Sequence, residues 1–376
     1  MANIKTKGCS LNFDALIFSS LPKNSGCFLR ASYLSSALKN NKMNVKLVIP
    51  PKNLPIIFHF IVSFILNFIQ VFFYKFKIGI AIKPYPNTLI PLIVKKFFSN
   101  IIISVDIDDI DFGYRKGILN KISRIIQKPL PKFFDIVTYH NRNLKEFILK
   151  EYKVSEEKLY LLKQGVDFEI YKPMKDCKKF KKIFCKKYRI PFNSKLIVYT
   201  AHLNIAADLD IILENIGSIL RDNFYLIIAG GGPMYSFYKS YAEKLKLKNI
   251  IFTAYLPPVE ISKIVNIADL AIVYYKDKPV NYYRASMKVR EYLALKKRVV
   301  CNDVGELKEF KNYVYQSKTD INSFIKKIDY IIRNNITDGR EKIGYEFVKK
   351  EYDWNKIGFD FKRFIDREFG LNYIRV

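Results

Sequence analysis

Lys288 and Glu291 lie three residues apart in the stretch SMKVREYLALKKRVVCNDVGE (286–306), a spacing that puts both on one face of a helix. The helix is expected to start near Ser286, placing Lys288 in its first turn, where free amides and the helix dipole favour an anion. A cation there suits a leaving phosphate, and a carboxylate one turn deeper suits ribose hydroxyls. The same spacing also describes an ordinary surface ion pair. A second group is SVDIDDIDF (104–112), in which Asp106, Asp108, Asp109 and Asp111 follow an expected strand. Carboxylates spaced this way serve metal binding or a general base, or one of them caps the next helix. Gly230-Gly231-Gly232-Pro233 joins an expected strand to a helix, where backbone amides meet a phosphate or a sugar, or simply turn the chain. It is neither a dinucleotide fingerprint nor a P-loop, because the later Gly or the Gly-Lys-Ser/Thr is missing. His140 opens the loop after another strand and either faces a cleft or packs.

These residues must be held by alternating elements. Strands are expected at Ala15–Phe18, Val45–Ile49, Ile78–Ile82, Ile101–Val105 and Ile136–Thr138, with helices between them. The alternation pauses at 168–195, which is Lys-rich and bounded by prolines. It then restarts with strands at Leu196–Thr200, Tyr225–Ala229, Ile250–Phe252, Leu270–Tyr274 and Val299–Cys301, and an amphipathic helix over Ile357–Phe369 ends the chain. Parallel βαβ units, with ligands at the carboxyl ends of the strands, are the architecture this implies. The expected fold class is α/β, as two Rossmann-like doubly wound domains. The expected divisions are an N-terminal domain (1–170), a linker and domain entrance (171–195), a C-terminal domain (196–355) and a final helix (356–376).

The 376 residues suffice for two cores, and 49% hydrophobic with 26% charged residues excludes a disordered chain. Net charge is +29, unevenly spread: residues 1–100 hold thirteen Lys or Arg and one carboxylate, Asp14. Such a field attracts polyanions such as nucleic acid, an anionic membrane face or phosphorylated substrates, or else only solvates the surface. Five cysteines without a CxxC pair argue against zinc and for a reduced, cytosolic chain, and no signal peptide is evident at the N-terminus. The stretch Ile56–Tyr74 is uncharged, but His59, Ser63, Asn67 and Gln70 form one polar stripe at helical spacing. Its length and stripe fit three placements: across a bilayer, in its interface, or buried in a domain.

SMKVREYLALKKRVVCNDVGELKE resembles the donor-site stretch of glycosyltransferase family 4, P-x-K-x-x-E-Y-x-A-x-G-K-P-V-V followed by D-x-G-x-x-E. LLKQGVDFEIYKP (161–173), LIIAGGGP, NIIFTAYLPPVEISKIVNIADLAIVY and YDWNKIG resemble further family segments in the family's order. The resemblance implies the two-lobed GT-B fold, with an interdomain cleft and a last helix crossing back toward the N-terminal domain. It implies retaining, metal-independent hexosyl transfer from a nucleotide-sugar donor, with no cofactor. It places Lys288 at the diphosphate, Glu291 at the ribose, Gly305 and Glu306 beside the nucleotide, and Leu256 and Pro257 at its base. Gly26 matches the loop that closes over sugar and phosphates, and Gly231 the G-x-G-P turn. Asp108 and Asp109 occupy the segment that approaches the transferred sugar, and His140 is assigned to the acceptor side.

The sequence departs from the family where an Arg and a Lys usually neutralise the diphosphate: His202 and Ala207 stand there, so either Lys288, Arg284 or His202 carries that charge, or the donor's phosphate arrangement differs, or activity is lost. Tyr283 stands for the first of the family's paired glutamates. The expected acceptor is a lipid-linked or polysaccharide chain at the cytoplasmic membrane face, with an anionic membrane surface as partner. The helices at 56–74 and 113–128 are the candidates for docking it. A catalytically degenerate GT-B subunit is the alternative. Nucleic acid is not an expected partner, because no nucleic-acid motif accompanies the basic residues.

Overall fold

The computed structural model describes residues 12–23, 25–51, 54–110, 117–220 and 223–371. They form two compact α/β units, one built from 1–164 with 354–376 and the other from 165–353.

In the first unit β1 (Asn12–Ser19), β2 (Val45–Val48), β3 (Lys75–Ile82), β4 (Ile102–Asp106), β5 (Ile136–Tyr139) and β6 (Leu159–Leu161) form a parallel sheet in the order β2-β1-β3-β4-β5-β6. Helices cover the sheet, so β1 reads as an unbroken apolar run, Ala15 to Phe18, buried throughout. The strand order reverses between β1 and β3, which makes the loops after these strands the natural ligand crevice. The helix α1 (Gly26–Asn40) starts in the first of these loops, capped by Ser25 Oγ, which accepts from Phe28 N at 3.1 Å. The last helix, α13 (Trp354–Phe369), returns to pack on α1, with Trp354 stacked on Tyr33 at 6.0 Å.

The uncharged segment forms α2 (Ile56–Phe73), which packs on α3 (Pro86–Phe98). Its polar stripe faces inward: His59, Ser63 and Asn67 are buried, and Asn67 Nδ2 donates to the Asn87 carbonyl at 2.8 Å. Among the described residues no helix is long and apolar enough to cross a membrane. The basic segment expected as a helix at 113–128 forms α4 (Ile118–Gln127), and residues 111–116 lie outside the described residues. Arg124 and Lys128 both pair with Glu151, so much of this end of α4 is neutralised within the protein.

The second unit opens at Gly165, before the stretch expected as linker, and takes that stretch in. Residues 171–195 hold α6 (Cys177–Tyr188), with Phe184 and Cys185 in the core. The run of lysines is the solvated face of this helix, which is why its composition resembles a linker. The boundary falls at Gln164/Gly165, and the closing helix belongs to the first unit from Trp354 onward. Six parallel strands follow: β7 (Lys195–Thr200), β8 (Phe224–Ala229), β9 (Ile250–Phe252), β10 (Leu270–Val273), β11 (Val299–Asn302) and β12 (Tyr315–Ser317). Their order is β12-β11-β10-β7-β8-β9, the Rossmann arrangement, with its switch point between β7 and β10. One face of the sheet is covered by a core that includes α9 (Pro258–Ile267) and α10 (Met287–Ala294), the other by α7 (Leu209–Ile216), α8 (Tyr235–Lys244) and α11 (Ile321–Arg333).

Candidate active site

The site of the second unit grows from its switch point. β7 ends at Thr200, whose amide donates to Tyr292 Oη at 2.8 Å, tying the strand end to α10. Ser286 Oγ caps α10 by accepting from Val289 N, and within the first turn Lys288 Nζ lies over the Tyr199 ring, 4.3 Å from its centroid. Burial and the neighbouring Arg284 guanidinium bring Lys288 down to about 7, against opposing pulls from Glu291 and Asp208. Burial raises Glu291 to about 7, opposed by a hydrogen bond from Tyr171 and by Lys288. Burial thus disfavours the charged form of both groups, and an incoming anion would draw both toward protonation.

The signs of these shifts define a measurement. An unfolded Lys288 keeps its proton to about 10.5 while the folded one releases it near 7, so this residue makes stability rise with pH between those values. Glu291 acts oppositely: the folded state holds the proton to about 7 and the unfolded one only to about 4.5, so its contribution is lost as pH rises through that window. Urea unfolding of Lys288→Met against the wild type should show the wild type gaining stability relative to the variant from neutral to alkaline pH. A pH-independent difference would contradict the burial argument.

His202 is exposed on the loop after β7, and Ala207 is buried beside it. The place of the missing lysine is not bare. Tyr199 Oη donates to the Ala207 carbonyl at 2.5 Å, and Arg284 donates to the Ala206 carbonyl at 3.2 Å and to Asn281 Oδ1 at 3.0 Å. Asp208, held in the left-handed region at φ 51°, gathers Lys278 at 2.9 Å and Lys276 at 3.8 Å. A loop read in sequence as having lost its cations is thus surrounded by cations from the segment after β10.

The remaining donor-side residues divide by what they touch. Glu306 is buried with Arg290 in a two-pronged pair, at 2.5 and 3.0 Å, and also accepts from Ser286 N at 2.8 Å. Its contacts position the start of α10. Gly305 has φ 58°, and a Cβ there would stand 2.5 Å from the Asn281 carbonyl, so only glycine lets the Arg284 loop approach. Gly231 likewise has a packing reason, since a Cβ would meet Tyr255 N at 2.7 Å. Leu256 and Pro257 form the entry to α9, Leu256 half-buried and Pro257 exposed.

In the first unit the aspartates separate. Asp106 is fully buried with Arg30, at 2.5 and 2.9 Å, while Thr138 Oγ1 donates to it at 2.5 Å. This is a core pair. Asp108 faces Lys83 at 3.3 Å, and Asp109 Oδ1 accepts from the next amide, Ile110 N, at 2.8 Å. Asp111 lies outside the described residues. His140 is buried, with Nε2 2.8 Å from the Asp108 carbonyl, a contact that requires the proton on Nε2 and steadies this loop. Nothing lies within 4 Å of a Cβ built on Gly26, so packing does not explain that glycine. Among the described residues no group of three or more His, Cys, Asp or Glu is placed to hold a metal ion.

Sequence reading missed Lys83 and Tyr199. Lys83 follows β3 directly at the strand-order reversal, in the left-handed region at φ 73°, and its position after an expected strand was the available signal. Tyr199 sits inside a strand and carried no such mark.

The chain has two parallel α/β units, the second a Rossmann sheet with a site at its switch point, and its fold is the GT-B fold of solved glycosyltransferases. Residues 180–349 match the family model described as glycosyl transferases group 1. A glycosyltransferase from Rickettsia africae is similar in structure, with TM-score 0.73 and 15% identity over 95% of this chain and 98% of that one. Anabaena HepE, solved with UDP and glucose, gives 0.70 and 12% over 94% and 100%. WaaG, a glycosyltransferase involved in lipopolysaccharide biosynthesis, gives 0.69 and 13% over 95% and 100%. No curated protein matches in sequence.

Proposed function

We propose that the protein transfers a hexosyl group, with retention and without a metal ion, from a nucleotide sugar to a lipid-linked or polysaccharide acceptor at the cytoplasmic membrane face. The observation that carries this reading is the placement of Lys288, its Nζ 4.3 Å from the Tyr199 ring centroid near the carboxyl end of β7 and with Arg284 on the adjoining loop, where burial draws the amine down to about 7 and a diphosphate would restore its charge. In the transfer the bond from the anomeric carbon to the diphosphate oxygen breaks and one to the acceptor oxygen forms. The acceptor proton leaves with the diphosphate or to solvent. Lys288 and Arg284 would balance the charge that develops on the leaving group, a large electrostatic contribution in a dry site. Glu291 would hold the ribose hydroxyls. Asp108 and Asp109 of the first unit would approach the transferred sugar, and His140 would stand on the acceptor side. HepE with UDP and WaaG in lipopolysaccharide biosynthesis support the donor and acceptor classes.

Thermal shift with UDP, ADP, GDP, TDP and CDP tests the donor: one of them should raise Tm, and the matching sugar nucleotide should support transfer with EDTA present. Anomeric configuration read by NMR tests retention. Binding without any transfer would favour the degenerate-subunit reading that Ala207 motivates, and no binding at all would end the proposal.

A further inference from the structure

Amphipathic helices ordinarily bury their apolar stripe. In α2 the order is inverted. His59, Ser63 and Asn67 are turned inward, while Phe58, Ile61, Ile65, Ile69 and Phe73, at helical spacing, each keep more than half their surface exposed. Phe97 and Phe98, at the end of the neighbouring helix α3, are more than three-quarters exposed, and Phe98 meets Phe72 at 6.3 Å. Isolated exposed leucines or phenylalanines are normal, but a contiguous row along one helix and onto the next is not. At the same end lie the cations: Lys95 Nζ over the Phe72 ring at 5.0 Å, Lys46 Nζ over Tyr74 at 4.3 Å, and the exposed Lys75. The one carboxylate among the first hundred residues, Asp14, is buried and approached by Lys77.

We propose that the α2–α3 face is a membrane-insertion surface, with α2 lying in the plane of an anionic bilayer, its Phe/Ile row in the acyl boundary and Lys46, Lys75 and Lys95 at the headgroups. An apolar row calls for a non-aqueous neighbour, and Lys46, Lys75 and Lys95, which form no ion pair among the described residues, select a negatively charged one. A second copy of the chain offers the same net positive charge and is disfavoured. The proposal rests on the reading of an acceptor at the membrane face and gives it a physical surface.

The test is flotation of the full chain with phosphatidylcholine vesicles, with and without phosphatidylglycerol. The wild type should float with the anionic vesicles. Ile65→Asp with Ile69→Asp should lower partitioning by about a hundredfold or more. Lys75→Glu with Lys95→Glu should remove the preference for phosphatidylglycerol. Phe97→Ser with Phe98→Ser, at sites too exposed to disturb folding, should lower it by about tenfold. A nucleotide-induced Tm shift kept in each variant shows that the fold is intact. A wild type that stays with neither vesicle, or variants that float equally well, overturn the surface while nucleotide binding leaves the transfer reading standing. Vesicle binding without any nucleotide binding does the reverse. A wild-type dimer made monomeric by Ile65→Asp with Ile69→Asp would show that a second copy covers this face, and would also overturn the proposal.

Discussion

Lys288→Met should lower transfer roughly 10²- to 10³-fold, about 3–4 kcal/mol of transition-state stabilisation. The substitution removes the cation closest to the expected leaving group and replaces it with an apolar chain of similar length. Lys288 is half-buried over Tyr199, and its amine is already reluctant to carry charge. The fold should therefore survive or gain, and lost activity cannot be ascribed to unfolding. Arg284→Gln should do less, about tenfold, since Arg284 stands one loop away at Ala206. It should also move the pH above which nucleotide binding weakens upward, because it removes the repulsion that holds Lys288 down. Steady-state rates and nucleotide affinities across pH check both. Near-normal turnover in Lys288→Met would shift the role to Arg284, and loss of that pH displacement would break the link between the two cations.

The second large effect is on stability. Glu306→Ala leaves the Arg290 guanidinium buried without its carboxylate and frees the Ser286 amide, which should cost about 3–5 kcal/mol. In a unit of this size that corresponds to a fall in Tm of roughly 10 °C. Far-UV circular dichroism is the proper probe, because the single tryptophan, Trp354, belongs to the first unit. Arg290→Met combined with Glu306→Gln should recover much of the loss, since an uncharged pair of similar volume leaves no uncompensated charge. A small effect of Glu306→Ala would mean that water reaches Arg290 and that the carboxylate is available to a ligand after all.

These contrasts separate two kinds of information. The alternation of strands and helices, the shared face of Lys288 and Glu291, the stripe of His59, Ser63 and Asn67, and the family stretch at 286–306 were all legible in the sequence. Each depends on the repeat of a single element, and helical or strand periodicity sets which residues share a face regardless of the rest of the chain. The partner across that face is another matter. Arg30 meets Asp106 from 76 residues away and Arg290 meets Glu306 from 16, and these pairings turn two motif carboxylates into internal struts. Lys288 owes its lowered charge to burial by distant segments and to Arg284, neither of which its own helix supplies. Periodicity likewise marked the stripe on α2 but not its direction. Only packing on α3, with Asn67 bonded to Asn87, turned the polar side inward and left the apolar one outside. Burial and long-range pairing depend on where distant segments meet, so they are set by the tertiary structure. In this protein they close Arg290 off with Glu306 and leave Lys288 and Arg284 as the cations beside the end of β7.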